Sequence, residues 1–326
     1  MTERLAGTAE LTALIPQVAA ARAINPAYVE KDFWAMESLR ALTAYCDHHG
    51  APAIFKGGTS LSRGWNLTSR FSEDIDIVLD FSDDLGVGAR NRILKGIAQT
   101  VRDHLGLDES STREYDSTTG VKRTVEVGYP VAFSSGTAEV KDHVLLEVGS
   151  RGAPTPSHDR RLLSFVAEYL RANELAAEDE YIELAPFAAH VLAPERTLVE
   201  KLALLATLDQ NFRDGDANAF AAKGRHLYDV HELLGDSGVT AALDAMGPEG
   251  IMTEAQDVLD RSRSAGWDCV ERPSQGWIAS SSCFVANSDA ASHLKTAYAS
   301  AQSMIYGQPP EFADCIARIR EFSGRL

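Results

Sequence analysis

This sequence is short of positive charge. Its 326 residues hold 31 lysines and arginines against 47 aspartates and glutamates, a net charge of −16. That balance excludes a surface coated uniformly for nucleic acid, although a local basic patch stays open. Cysteine is scarce as well. Cys46, Cys269, Cys283 and Cys315 contain no C-x-x-C pair. Neither a zinc site nor a disulfide framework is expected, and free thiols in a reducing cytoplasm are. Cys46-Asp47-His48-His49 has metal-binding residue types, but contiguous residues at a helix end point in different directions and read as solvated surface. No run of eighteen apolar residues occurs, so no membrane span and no membrane partner is expected. The stretch up to Ala23 ends like a leader, yet Glu3 and Glu10 spoil a positive start and Pro16 with Gln17 breaks the apolar run. It is not read as a signal peptide. Internal repeats and low-complexity tracts are missing too.

What is present is ordinary globular composition, 44% hydrophobic and 24% charged, in a length that suits one large domain or two ordinary ones. Periodicity predicts helices over residues 8–22 and 26–46, the second with Tyr28, Phe33, Met36, Leu39, Leu42 and Tyr45 at near-helical spacing. A short strand is expected at 52–56, a helix from Thr59 to Trp65, a strand at 74–81 and a helix at 88–105. Two more strands are expected at 121–129 and 140–148. A Gly/Pro/Ser-rich loop carrying three arginines follows at 151–161. Beyond it the pattern is helical: 160–173, 194–210, 218–235, 240–246, 252–262, 289–306 and 310–323. The fold class is α/β (α+β): a mixed sheet core flanked by helices in residues 1–190, then a mostly helical domain in 191–326.

The chemistry concentrates in FKGGTSLSRGWNLTSRFSEDIDIVLDF, residues 55–81. Residues two apart in a strand face the same side, so Asp74 and Asp76 project together while Ile75 and Ile77 face the other way. Paired carboxylates repel, and they invite a divalent cation with oxygen coordination, most naturally magnesium. Gly57 and Gly58 lack Cβ atoms, so their backbone N–H groups can approach an anion, and a helix start after them adds positive potential. Thr59 and Ser60 offer hydroxyl donors. Taken singly, the glycine pair usually marks a plain turn and the acids often mark a solvated strand rim. A P-loop is excluded because no G-K-[ST] follows the glycines.

The combination of strand, G-G-T-S, helix-length spacer and D-x-D strand resembles the first motif of the nucleotidyltransferase superfamily. The wider F-K-G-G-T-S-L-S-R…R-F-S-E-D-I-D-I, with Tyr28-Val29-Glu30-Lys31-Asp32-Phe33-Trp34 upstream, is similar to the AbiEii/MenT group of bacterial toxins from toxin–antitoxin and phage-defence (abortive infection) systems. The resemblance implies a nucleotidyltransferase-like core holding Mg2+ (or Mn2+) and using an NTP as co-substrate. Asp74, Asp76 and Glu147 would be the metal carboxylates, with Asp142 as the alternative to Glu147. Lys56, Gly57, Gly58, Thr59, Ser60 and Ser72 would surround the nucleotide. Glu195-Arg196-Thr197-Leu198-Val199-Glu200-Lys201-Leu202 resembles the group's E-K-L segment and gives Lys201 a triphosphate contact. A snorkelling lysine among Leu198, Leu204 and Leu205 is the alternative reading. Arg225-His226-Leu227-Tyr228-Asp229 resembles the R-[DH]-x-Y-D segment; Asp229 would orient Lys201 or the nucleotide, or else pair with Arg225 one turn away. Arg63, Arg70, Arg225 and His226 are candidates for RNA or phosphate contact.

The function implied is transfer of nucleotides to the tRNA 3′ end, which blocks aminoacylation and translation, with a cognate winged-helix AbiEi-like antitoxin as partner in the cytoplasm. A net charge of −16 sits awkwardly with tRNA, whose binding leans on phosphate contacts. A local surface of Arg63, Arg70, Lys122, Arg123, Arg151, Arg160 and Arg161 would answer this. Two other readings stand beside it. One is the same chemistry on a small cationic acceptor such as an aminoglycoside, or on a protein side chain; an acidic groove around Glu147 would favour the former. The other is a nucleotide sensor without turnover.

Overall fold

In a computed structural model, which describes residues 3–72, 74–134, 141–177 and 180–326, the chain forms two compact units. The first comprises Met1–Gly64 and Phe71–Leu192, and the second Trp65–Arg70 and Ala193–Leu326. Glu73, inside the S-E-D-I-D motif, and Val140, at the start of an expected strand, lie outside the described residues.

Seven strands among the described residues build the first unit: β1 (Ala53–Lys56), β2 (Asp74–Leu79), β3 (Thr112–Thr118), β4 (Lys122–Gly128), β5 (His143–Gly149), β6 (Ser157–Leu162) and β7 (Phe187–Leu192). They make one mixed sheet in the order β3-β4-β5-β2-β1-β7-β6. β2 runs antiparallel to β1 and parallel to β5. The predicted mixed α/β fold is therefore what the chain adopts. Alternation sorts the sheet's two faces as expected: Ile75, Ile77, Leu146 and Val148 are buried, while Asp74 and Asp76 are half-buried and Glu147 is exposed. The unit's helices are α1 (Ala9–Arg22), α2 (Pro26–His48), α3 (Gly57–Thr59), α4 (Val87–Leu105) and α5 (Phe165–Ala172). α2 and α4 pack against each other, α2 also against β5 and α4 against β4.

Three strands escape sequence reading for identifiable reasons. β3, TREYDST, is polar and almost wholly exposed, so it carries no apolar alternation. β6, SHDRRL, falls where a loop and a helix start are expected; it is an edge strand bonded only to β7 and can afford charged residues. Helix α5 begins instead at Phe165, capped by Ser164, whose Oγ accepts from the Ala167 amide at 3.2 Å. β7 is a short run, FAAHVL, between Pro186 and Pro194, with two alanines and a histidine in place of a β-branched alternation.

The Glu30-Lys31-Asp32 motif of α2 is buried and works as a clamp. Glu30 accepts from the amides of Ala132 (2.8 Å) and Phe133 (3.1 Å), Lys31 Nζ donates to Lys141 O (3.0 Å), and Asp32 accepts from the Phe165 amide (2.6 Å). Burial pushes the Asp32 carboxyl up to about 6 even with Arg63 2.8 Å away. Cys46 in the suspected metal tract is buried, its thiol pushed up to about 12 by burial, whereas Asp47, His48 and His49 are exposed. All four cysteines are free.

The second unit is helical apart from its first segment: α6 (Pro194–Arg213), α7 (Arg225–Gly235), α8 (Ser237–Ala265), α9 (Trp277–Ser280), α10 (Asp289–Ala301) and α11 (Phe312–Glu321). α8 breaks at Gly247-Pro248, where Gly247 has φ 65° and ψ 178°, as the two shorter predicted helices imply. Arg196 ties α6 to α8 through Glu254 and through Asp257 at 2.7 Å. Segment 65–70 belongs to this unit because Ser69 and Arg70 bond Tyr306, Tyr228 and Asp229 within it. No described helix is long and apolar enough to cross a membrane.

Candidate active site

β1 ends at Lys56, and the chain turns at once into a helical segment, α3 followed by a π-turn over Ser60–Gly64. No side chain caps that start, so the first amides keep their donors for a ligand. Gly57 has φ +78°, and a Cβ there would fall 2.0 Å from Asp76 Oδ2. The glycine turn thus rests directly on Asp76. Thr59 Oγ donates to Asp74 O (2.7 Å) and Ser60 Oγ to Gly57 O (2.9 Å). The Thr59 hydroxyl holds the turn to β2 and the Ser60 hydroxyl closes the turn on itself, so both are engaged within the protein. Gly57→Ala is expected to push the Asp76 carboxylate aside and to add left-handed strain of about 1 kcal/mol. Such a displacement costs roughly 100-fold in catalysis; a transfer assay beside a thermal melt checks it, with the activity loss far exceeding the fall in melting temperature.

Pairing register lines up the acids. Lys56, Asp76, Glu147, Thr124 and Asp116 are successive partners across β1, β2, β5, β4 and β3. In the next row on the same face, Asp74 pairs with Leu145, Leu145 with Glu126, and Glu126 with Arg113. Asp76 is pushed up to about 7, first by burial, then by Glu147 and Asp74, against the opposing pull of Lys56. The buried Thr124 Oγ beside Glu147 has no hydrogen-bond partner among the described residues. Asp142, the alternative third acid, lies before the start of β5 with its side chain 84% exposed. Among the described residues no three His, Cys, Asp or Glu side chains are closed around one point as metal ligands. By donor chemistry, however, hard oxygens that repel one another until one takes a proton fit a divalent cation.

A second centre lies in the helical unit. Asp229, on α7, is fully buried and accepts from Arg70 Nε (2.6 Å) and Nη2 (2.8 Å) and from Lys201 Nζ of α6 (2.7 Å). Burial alone would raise its carboxyl, but Arg70 and Lys201 overturn that and hold it well below the usual carboxylate range. Lys201 is lowered by burial and by Arg70 against the pull of Asp229. Its Nζ lies 3.4 Å from His226 Nδ1. Burial and then Lys201 keep that imidazole well below its ordinary value, so it is neutral at pH 7 and can accept from the lysine. Arg225 is half-exposed and has no ion pair among the described residues, so Asp229 does not pair with it.

The basic surface expected for RNA does not form. Arg63 is buried under an ion pair with Asp32 (2.8 Å), a second with Glu168 (2.7 Å) and the Phe165 ring at 3.9 Å. Arg70 is consumed by Asp229. Arg123 is buried against Glu114, and Lys122 is paired with Asp116. Arg151 and Arg161 are exposed and Arg160 half-buried. β4, with Lys122 and Arg123, and β6, with Arg160 and Arg161, lie five strand steps apart, about 24 Å, so the seven cations do not gather into one patch. Ser72 is half-buried just before β2. The bidentate grip of Arg70 on Asp229 is what sequence reasoning missed; a lone arginine seven residues past Arg63 carries no signal for it.

The profile of the family described as "Nucleotidyl transferase AbiEii toxin, Type IV TA system" matches residues 40–268. No curated protein matches. Among solved structures, the chain is similar to MenT4, a nucleotidyltransferase toxin from Mycobacterium tuberculosis H37Rv, at 14% identity and a TM-score of 0.56, over 95% of this chain and 87% of that one. At that identity the likeness shows the fold.

Proposed function

Since the chain belongs to the AbiEii family of nucleotidyl transferase toxins of type IV toxin–antitoxin systems, we propose that this nucleotidyltransferase moves a nucleotide from an NTP to the 3′ end of tRNA. Aminoacylation and translation would then be blocked until a cognate antitoxin neutralises the protein. The observation that carries the chemistry is the uncapped Gly57 turn seated against Asp76, with Glu147 and Asp74 on the same sheet face. Asp74, Asp76 and Glu147 would hold magnesium or manganese, which supplies charge stabilisation to the attacking and leaving oxygens. The amides at Gly57 and Gly58 receive phosphate oxygens. Glu147, the exposed acid of the three, takes the proton of the acceptor hydroxyl as its oxygen bonds the α-phosphorus. The bond from that phosphorus to the bridging oxygen breaks, and pyrophosphate leaves with the electron pair. In its own unit, Lys201 is the phosphate-binding cation, aimed by Asp229 and backed by Arg225.

One observation favours a second reading. Asp116, Glu126 and the three candidate ligands make the sheet face acidic, which suits a cationic small acceptor. The acceptors are separated with tRNA whose terminal diol is destroyed by periodate. Loss of labelling on oxidised tRNA supports a 3′-hydroxyl acceptor. Labelling of an aminoglycoside, with none on intact tRNA, overturns it.

Metal binding should depend on pH with a definite sign. The Asp76 carboxyl, near pH 7, must lose its proton before it can face a cation. The rise in melting temperature given by millimolar Mg2+ is therefore expected to be full at pH 8 and to fade below about pH 7. A shift equally large at pH 5.5 would remove Asp76 from the ligand set.

A further inference from the structure

Between Glu114 and Asp116 the pairing of β3 with β4 slips by one residue: Glu114 faces Val125 and Asp116 faces Thr124, which leaves Tyr115 without a partner. Glu114 points to the helix-covered side, where its carboxylate meets Arg123 and Arg123 meets Asn91 of α4. Asp116 belongs to the row of Glu147 and Asp76. One extra residue between them puts Tyr115 on the acid side together with Asp116. The tyrosine hydroxyl is pushed up by burial and then by Glu126 and Glu147, with Asp74 also contributing against Lys141, in keeping with the side of the sheet that the bulge gives it. Yet the residue is 52% exposed, and no ring stacks on it among the described residues.

We propose that Tyr115 is a stacking platform for a nucleobase at the acid face. The inference rests on the nucleotidyl-transfer reading and names a residue that reading does not use. Around Tyr115 the surface is anionic, so phosphate is disfavoured there, whereas a neutral planar base can lie on an exposed phenol ring. A bulge beside a site re-aims a side chain, and here it turns out the one aromatic ring that β3 carries. The base belongs either to the donor NTP or to the acceptor strand, and kinetics distinguish the two.

Transfer is measured with NTP and RNA varied separately for the wild type, Tyr115→Phe, Tyr115→Trp and Tyr115→Ala, with equilibrium binding of each substrate alone as a second readout. Tyr115→Ala should raise the KM of one substrate, and weaken its binding, by roughly 5- to 100-fold, with kcat changed far less. Tyr115→Phe and Tyr115→Trp should restore KM to within about 2-fold. The substrate whose KM moves is the source of the base. Unchanged KM and binding for both substrates in Tyr115→Ala would overturn the inference while leaving nucleotidyl transfer intact. So would a loss in Tyr115→Phe as large as in Tyr115→Ala, since stacking needs the ring and not the hydroxyl. A wild type that binds nucleotide or RNA without any transfer contradicts the parent reading instead, and the binding of the three variants then decides the stacking.

Discussion

Asp76→Asn should lose at least about 1,000-fold in nucleotidyl transfer, a barrier increase of roughly 4 kcal/mol, while melting at a higher temperature than the wild type in metal-free buffer at pH 8. The two halves of that expectation come from one source. Asp76 sits between Glu147 and Asp74, rests against Gly57, and has its carboxyl raised to about 7. Its folded value lies above the ordinary 3.8, so the folded chain holds the proton more tightly than the unfolded one. The acid therefore costs no stability below about pH 4 and progressively more as pH rises towards 7, with the full cost above it. Asparagine removes the charge and keeps the shape. A gain of about 2–8 °C at pH 8 follows, shrinking to nothing near pH 4. Added magnesium should reverse the order of the two melting points, because only the wild type gains from the ion.

Asp229→Asn has the opposite character. Its carboxylate meets both Arg70 and Lys201, two buried cations. Removing one partner of a buried ion pair leaves uncompensated charge and costs about 3–5 kcal/mol, here roughly 6–20 °C in the melting of the helical unit. Lys201→Met separates structure from chemistry. It leaves the two-point Arg70–Asp229 pair in place, so the chain should fold with a near-normal melting point and yet lose about 100-fold or more in transfer. If Lys201→Met retained full activity, the snorkelling reading of that lysine would be correct.

How much of this was legible beforehand depends on which interactions are local. Asp74 and Asp76 could be assigned to one face because strand alternation needs only the residues themselves, and Glu147 stood out as a charge inside an apolar run. Their register, which sets Asp76 opposite Glu147, is a property of two strands some seventy residues apart. β3 was invisible for want of apolar residues, and with it the bulge at Tyr115, since a bulge is defined only against a partner. Lys201 and Asp229 came from family resemblance, not from spacing. Arg63 and Arg70 were misread as surface cations because a sequence shows charge and not burial; each is sunk against acids, Asp32 and Glu168 for one and Asp229 for the other. The lead motif at Glu30-Lys31-Asp32 carried the family resemblance without a role, and its contacts are those of a structural clamp.

The central claim is that the acids on this sheet face transfer a nucleotide to RNA. The most direct measurement incubates the purified chain with total tRNA, Mg2+ and each of the four NTPs labelled at the α-phosphate, beside Asp76→Asn, and resolves the RNA on a denaturing gel. Labelled tRNA lengthened at its 3′ end by the wild type with at least one NTP, and absent with Asp76→Asn, is the predicted result. No label on tRNA with any of the four, or label of equal strength with Asp76→Asn, would contradict it.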